Sequence, residues 1–210
     1  MQPPRKKLLA TALVGIAWII GVVSGLGILL NYESTPGHVG LVPTVWPPTS
    51  RIRRLADRPT LVMLAHPRCP CTRASVAELA QIMARVQGKV YAYVLFLKPK
   101  QSLGGWTDTD LRRSAAGIRG VKVLSDVDGA EADRFGSETS GHTFLFGRDG
   151  RLLFTGGITQ TRGHAGDNAG ERTIESILLN DRSPVRTNTP VFGCSLGDRP
   201  QLGGIPQCLK

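Results

Sequence analysis

The sequence predicts an α/β domain, a central mixed sheet flanked by helices, carried behind one transmembrane helix. Three observations lead there. An uncharged run from Leu8 to Leu30 follows Arg5, Lys6 and Lys7. Between Leu61 and Leu97 an apolar run gives way to helical spacing and then to a second apolar run. Between His142 and Thr155 two apolar runs flank Arg148-Asp149-Gly150.

A chain of 210 residues has room for one domain plus an anchor. The uncharged run is long enough to cross a hydrocarbon core of ~30 Å with some tilt. Three cations precede it, and Asn31, Tyr32, Glu33 and Ser34 follow without one. The positive-inside rule then puts residues 1–7 in the cytoplasm, residues 8–30 in the membrane and everything later outside it. For a bacterial inner membrane this means a single-pass protein facing the periplasm. A cleaved signal peptide is the competing reading, but its apolar region is shorter and ends in a small-residue site. Gly21 and Gly25 have the GxxxG spacing that lets membrane helices pair, a weak signal because glycine is common there. Residues 31–59, with Pro36, Pro43, Pro47 and Pro48, read as an extended linker.

The domain proper is expected over 60–181. Leu61 to Ala65 reads as a strand buried on both faces. Residues 71–87 carry Ala74, Ala77, Leu79, Ile82, Met83 and Val86 at helical spacing, and Gly88 ends the run. Residues 89–97 read as a second buried strand, so the first unit is a parallel βαβ crossover. A loop over 98–107 precedes a helix over 108–117, with Asp108 as its expected N-cap. Val121 to Leu124 reads as a short strand and 128–135 as one or two helical turns. His142–Phe146 and Arg151–Thr155 form a hairpin, and 168–180 returns to helical spacing through Ile174, Ile177 and Leu178. Residues 182–210, with Pro184, Pro190, Pro200 and Pro206, are expected as an irregular tail.

The chemistry points to His66-Pro67-Arg68-Cys69-Pro70-Cys71-Thr72, where a buried strand meets a helix. A thiolate at a helix N-terminus faces free N–H groups and the positive end of the helix dipole, so its pKa falls. Arg68 is expected to act in the same sense. Pro70 suits the first helical position, where its missing N–H costs nothing. Thiols at i and i+2 can join only in a tight ring, and a strained disulfide is an oxidising one. The same two thiolates with an imidazole would also suit a soft metal such as copper(I) or zinc.

These residues resemble a known superfamily. Laid on a thioredoxin, Leu61 to Cys69 puts Cys69 at the nucleophilic cysteine of Cys-x-x-Cys. His142-Thr143-Phe144-Leu145-Phe146 then falls on the segment of cis-proline, strand and turn. HPRCPCTRASVAEL, SGHTFLF and GGITQTRGHAGDNAG resemble bacterial membrane-anchored RedB-like proteins over roughly residues 41 to 197. The resemblance implies a thioredoxin-like fold and an extracytoplasmic redox role. Two departures stand out: the motif is Cys-x-Cys, and His142 occupies the cis-proline position. From that position His142 is expected either to act as base for Cys69 or to complete a metal site with Cys69 and Cys71.

The main functional reading is therefore a thiol–disulfide oxidoreductase acting on exported protein thiols or a redox partner, with Cys69, Cys71 and His142 as catalytic residues and no cofactor. The alternative is a copper-binding or delivery protein that uses the same three residues as ligands. A peroxidase and a pure interaction module rank below both. His66 and His164 are lesser candidates. Cys194 is either a resolving thiol for Cys69 or the partner of Cys208 in a staple of the tail. The net charge of +10 has no aromatic interleaving, so nucleic acid is not an expected partner. Phosphate-binding, zinc-protease and serine-hydrolase motifs are all absent from the sequence.

Overall fold

The computed structural model describes residues 5–102, 105–181 and 187–197. Contacts divide it into two units, one ending at Thr35 and one beginning at Pro36. The first is helix α1, Arg5–Ser34. From Lys7 to Ser34 it is long and apolar enough to cross a membrane. Its Thr11 and Ser34 hydroxyls donate to the carbonyls of Lys7 (2.9 Å) and Leu30 (2.8 Å). Both polar side chains are thereby satisfied within the helix.

The second unit runs β1 (Thr60–Ala65), α2 (Pro70–Val86), β2 (Tyr91–Lys98), α3 (Asp110–Ala116), β3 (Val121–Val127), α4 (Ala130–Phe135), β4 (Thr143–Phe146), β5 (Leu152–Gly156) and α5 (Ala169–Leu179). One mixed sheet has the order β3-β2-β1-β4-β5. β1 lies parallel to β2 and antiparallel to β4, and β4 pairs antiparallel with β5. All six residues of β1 are buried, because it is the middle strand and both its faces are covered.

Alternation along β1 divides the core. Leu61, Met63 and Ala65 face α2 and α5, against Leu79, Ile82, Val86, Ile174 and Leu178. Val62 and Leu64 face the other way, against Phe135, Phe144 and Phe146. Trp46 meets Phe135 and Phe146 edge-to-face, at 5.3 and 5.2 Å between ring centroids. The fully buried Phe135 and Phe146 each contribute roughly 1.5–3 kcal/mol by leaving water.

The segment read as a linker divides in two. Residues 31–34 finish α1, while 36–59 lies along the domain. The Trp46 amide donates to the Gly150 carbonyl (2.8 Å) and the Leu152 amide to the Thr44 carbonyl (2.9 Å). Prolines keep this stretch out of the ladder, yet it brings Trp46 and Ile52 to a sheet face that needs cover.

Two local expectations change. The strand expected at 121–124 runs to Val127 and adds a parallel edge to β2. The N-cap of α3 is Thr109, whose hydroxyl accepts from the Arg112 amide (3.2 Å). Asp108 instead pairs with Arg113 (2.7 Å). Asp126 is buried and its carboxylate accepts from the Glu131 and Ala132 amides (2.8 and 2.9 Å), which caps α4. Asn168 caps α5 through the Glu171 amide (2.8 Å).

Candidate functional site

The turn from β1 into α2 is built around one hydroxyl. The His66 amide donates to Ser140 Oγ (2.8 Å), and Ser140 Oγ also shares a hydrogen bond with Thr72 Oγ1 (2.6 Å). Ser140 thus clamps the last residue before the turn to the first turn of α2. The Cys69 amide donates to the His66 carbonyl (3.2 Å), and the Arg68 amide to His66 Nδ1 (3.2 Å). Cys69 is the extended N-cap of α2 and Pro70 opens the helix. This is the local geometry that Cys-Pro-Cys asks for, since the residue before proline avoids the helical region.

Cys69 and Cys71 are both free thiols and both buried. Cys69 is only 1% exposed, so solvent does not reach it in this conformation. Its pKa is nevertheless lowered to about 6. The first cause is the Cys71 thiol, which donates toward the Cys69 sulfur, and the Thr72 hydroxyl and the Thr72 and Cys194 amides add to it while burial opposes. Cys71 is driven strongly upward, because its proton serves the Cys69 anion and because burial and that anion both disfavour a second charge. The Arg162 guanidinium lies close enough to Cys71 to offset part of this. The two thiols thus divide their roles, Cys69 as the ready anion and Cys71 as the proton holder.

The cation of the site is not the expected one. Arg68 stacks on Trp106, its guanidinium carbon 4.0 Å from the ring centroid. Arg162, from the polar loop after β5, hydrogen-bonds the Gly193 carbonyl and reaches Cys71. That loop is fastened from beneath by Glu78 of α2, which accepts from the Gly166 amide (2.7 Å) and from Asn168 Nδ2 (3.4 Å).

Cys194 joins the thiols in one buried sulfur cluster and is itself disulfide-bonded. Cys208 lies outside the described residues. The segment carrying Cys194 is tied to the turn: the Ser140 amide donates to the Cys194 carbonyl (2.8 Å) and the Leu196 amide to the Glu138 carbonyl (2.9 Å). Gly193 sits so close to the Ser140 carbonyl that any side chain there would collide with it.

His142 is placed elsewhere. It shares the parity of Phe144, and its ring stands 4.1 Å from that ring, while Nε2 meets Thr155 Oγ1 at 2.9 Å. Burial alone holds its pKa down at about 3, with no contribution from either thiol. Nδ1 is buried without a hydrogen-bond partner. The ring therefore faces the aromatic side of the sheet, away from the α2 side. Among the described residues no group of three His, Cys, Asp or Glu side chains is arranged to hold a metal ion. Cys69, Cys71 and His142 therefore do not converge as a copper ligand set. The side chain that meets the turn is Ser140, two residues earlier. His66 stays at the turn, its ring edge-on to Trp106 at 6.2 Å. His164 is exposed and bonded to Thr161 and the Arg162 carbonyl (2.9 Å each). The sequence reading missed Ser140, Thr72, Glu78 and Arg162. Ser140 was within reach as a polar residue beside the strand start, whereas nothing local marked Arg162.

No protein-family model matches the chain, and no curated protein does. Solved structures do. An uncharacterized conserved protein from Geobacillus kaustophilus is 16% identical, with a TM-score of 0.56 over 80% of this chain and 91% of its own. A hypothetical protein from Sinorhizobium meliloti 1021 is 20% identical, with a TM-score of 0.53 over 77% of this chain and 93% of its own. A secreted Mycobacterium tuberculosis disulfide oxidoreductase, described as homologous to E. coli DsbE, is 13% identical, with a TM-score of 0.43 over 60% and 83%. With its central βαβ unit, its antiparallel hairpin and a closing helix on the α2 side, the chain has the thioredoxin-like fold.

Proposed function

We propose that this protein is a membrane-anchored thiol–disulfide oxidoreductase whose nucleophile is Cys69 and whose second thiol is Cys71. The observation that carries the reading is the asymmetry of the pair: Cys69 caps α2 with a lowered pKa and accepts from a Cys71 thiol that keeps its proton. A thiolate at a helix N-terminus attacks the disulfide of an exported protein and forms a mixed disulfide. Cys71 then attacks the Cys69 sulfur and releases the reduced substrate, with Arg162 favouring the Cys71 anion as it forms. Ser140 and Thr72 hold the turn in place through both steps. Since Cys69 is buried, substrate engages it only when the segment around Gly193 and Cys194 moves aside.

Helix α1 anchors the domain, and the basic residues before it favour a periplasmic domain. The resemblance to RedB-like proteins points the same way. His142 serves by structure, as a buried neutral ring between Phe144 and Thr155. The test is disulfide reduction of insulin by the full chain in detergent. Cys69→Ser is expected to abolish it, and Cys71→Ser to leave a mixed disulfide on Cys69. Full activity in Cys69→Ser would sink the proposal.

A further inference from the structure

We propose that the segment 39–54, with the turn between β4 and β5, is a lipid-docking surface that binds anionic phospholipid headgroups. This rests on the membrane-anchor reading and goes beyond it, from a tethered domain to one that touches the bilayer itself.

The segment has two sides. Val42 and Trp46 pack against the aromatic cluster on the sheet. Val39, Leu41 and Val45 turn away from it and stand 45, 96 and 53% exposed. One exposed leucine calls for no explanation, but three aliphatic side chains from one short segment mark a contact surface. The backbone that carries them is held at three points. The Gly40 amide donates to the Gly136 carbonyl (3.0 Å), the Leu152 amide to the Thr44 carbonyl (2.9 Å) and the Trp46 amide to the Gly150 carbonyl (2.8 Å). Leu41 and its neighbours are therefore presented on a fixed frame, and the core side of that frame is already filled.

Charge and chain length point to the occupant. From Thr35 to Ala56 the sequence contains no Asp or Glu and carries Arg51, Arg53 and Arg54. The β4–β5 turn adds to this charge beside the apolar side chains. Val45 and Arg151 form an antiparallel bridge and are direct neighbours. Arg54 donates to the Arg148 carbonyl, and its guanidinium lies against Gly150. The acids along this surface are Asp149, 3.6 Å from Arg151, and Glu138, beside Gly40, so positive charge is in excess. Val39 follows Ser34, the end of α1, by five residues, which is at most ~18 Å of extended chain. Aliphatic side chains beside arginines, this close in sequence to a membrane span, fit a bilayer surface. Val39, Leu41 and Val45 enter the boundary between headgroups and acyl chains, and Arg54, Arg148 and Arg151 donate to phosphate oxygens.

The test uses the full chain in nanodiscs of phosphatidylcholine, alone or mixed with phosphatidylglycerol, with hydroxyl-radical footprinting read by mass spectrometry. In the anionic discs, oxidation of Val39, Leu41 and Val45 is expected to fall at least about fivefold below its level in the zwitterionic discs, the gain that one arginine supplies near an anionic surface. Val127 and Leu179, exposed apolar residues elsewhere in the domain, should not change. Salt at ~1 M shortens the screening length to ~3 Å and should restore oxidation. Leu41→Asp, at a position with no packing to lose, should expose Val39 and Val45 again in the anionic discs. If the segment is oxidised equally in both discs while Trp18 and Ile28 of α1 are protected, docking is overturned and the anchor stands. If Trp18 and Ile28 are oxidised as freely as Leu179, both fall. Protection that survives both salt and Leu41→Asp also overturns lipid docking.

Discussion

Alkylation of Cys69 in the reduced full-length chain is expected to follow a single titration centred near the pKa of about 6 that its surroundings impose. A free thiol titrates near ~8.5, so at pH 6 Cys69 is ~50% thiolate and an ordinary cysteine ~0.3%, a ratio of roughly 150. Nucleophilicity falls with pKa, at a Brønsted slope of ~0.4–0.5, and takes back roughly tenfold or slightly more. The net advantage at pH 6 is then about tenfold, and near pH 7 it shrinks to about twofold. Burial lowers every rate but leaves the midpoint in place. The assay is iodoacetamide labelling from pH 4 to 10, with mass spectrometry to separate Cys69 from Cys71. Cys71→Ala removes the leading donor and should raise the midpoint by about one to two pH units. A wild-type midpoint above 8, or one that Cys71→Ala does not move, would refute this division of roles.

The remaining expectations concern neighbours of the pair and the anchor. Arg162→Gln should slow resolution by Cys71 about tenfold, because a part-buried charge-assisted contact of roughly 1.5 kcal/mol is lost, while the Cys69 midpoint stays put; quenched-flow lifetimes of the mixed disulfide decide it. His142 is held neutral down to a pKa of about 3, below the ~6.5 of an unfolded histidine. The unfolded chain therefore binds the extra proton first, and stability falls by up to ~1.4 kcal/mol per pH unit as pH drops from 6.5 toward 3. His142→Leu should flatten that slope in urea titrations without shifting the Cys69 midpoint. Glu171 runs the other way: burial and the Glu78 charge raise it to about 7, so stability is lost as pH rises from ~4.5 through 7. Glu171→Gln should remove that loss, and a variant that keeps the wild-type pH profile would count against it. The full chain should resist alkaline extraction from membranes, and protease added from the periplasmic side should reach the domain; digestion only after lysis would reverse the orientation.

The core of the fold was legible where period changes mark boundaries. The switch from a continuous apolar run at Leu61–Ala65 to helical spacing, and back at Tyr91, follows from burial of β1 and β2 on both faces. β3 was read short because it is an edge strand, and Lys122, Ser125 and Asp126 alternate only loosely with its apolar residues. The stretch 36–59 read as a spacer because its prolines were the visible signal, whereas its structural work is done by Trp46 and Ile52. At the site, the thiols and the cap were readable from Cys-Pro-Cys alone. The opposing residue was not, because strand faces alternate with period two. His142 has the parity of Phe144, so its ring goes to the aromatic face. Arg162 comes from a loop whose path is fixed by Glu78 far along α2, a tertiary contact that local spacing does not encode.

The central claim is that Cys69 and Cys71 interconvert between dithiol and disulfide. A glutathione redox titration of the full chain in detergent, with mass-spectrometric counting of each cysteine, tests it directly. The account predicts a reversible two-electron couple that links Cys69 to Cys71 and vanishes when either is replaced by serine. Cys69 and Cys71 remaining free thiols at every potential would contradict it.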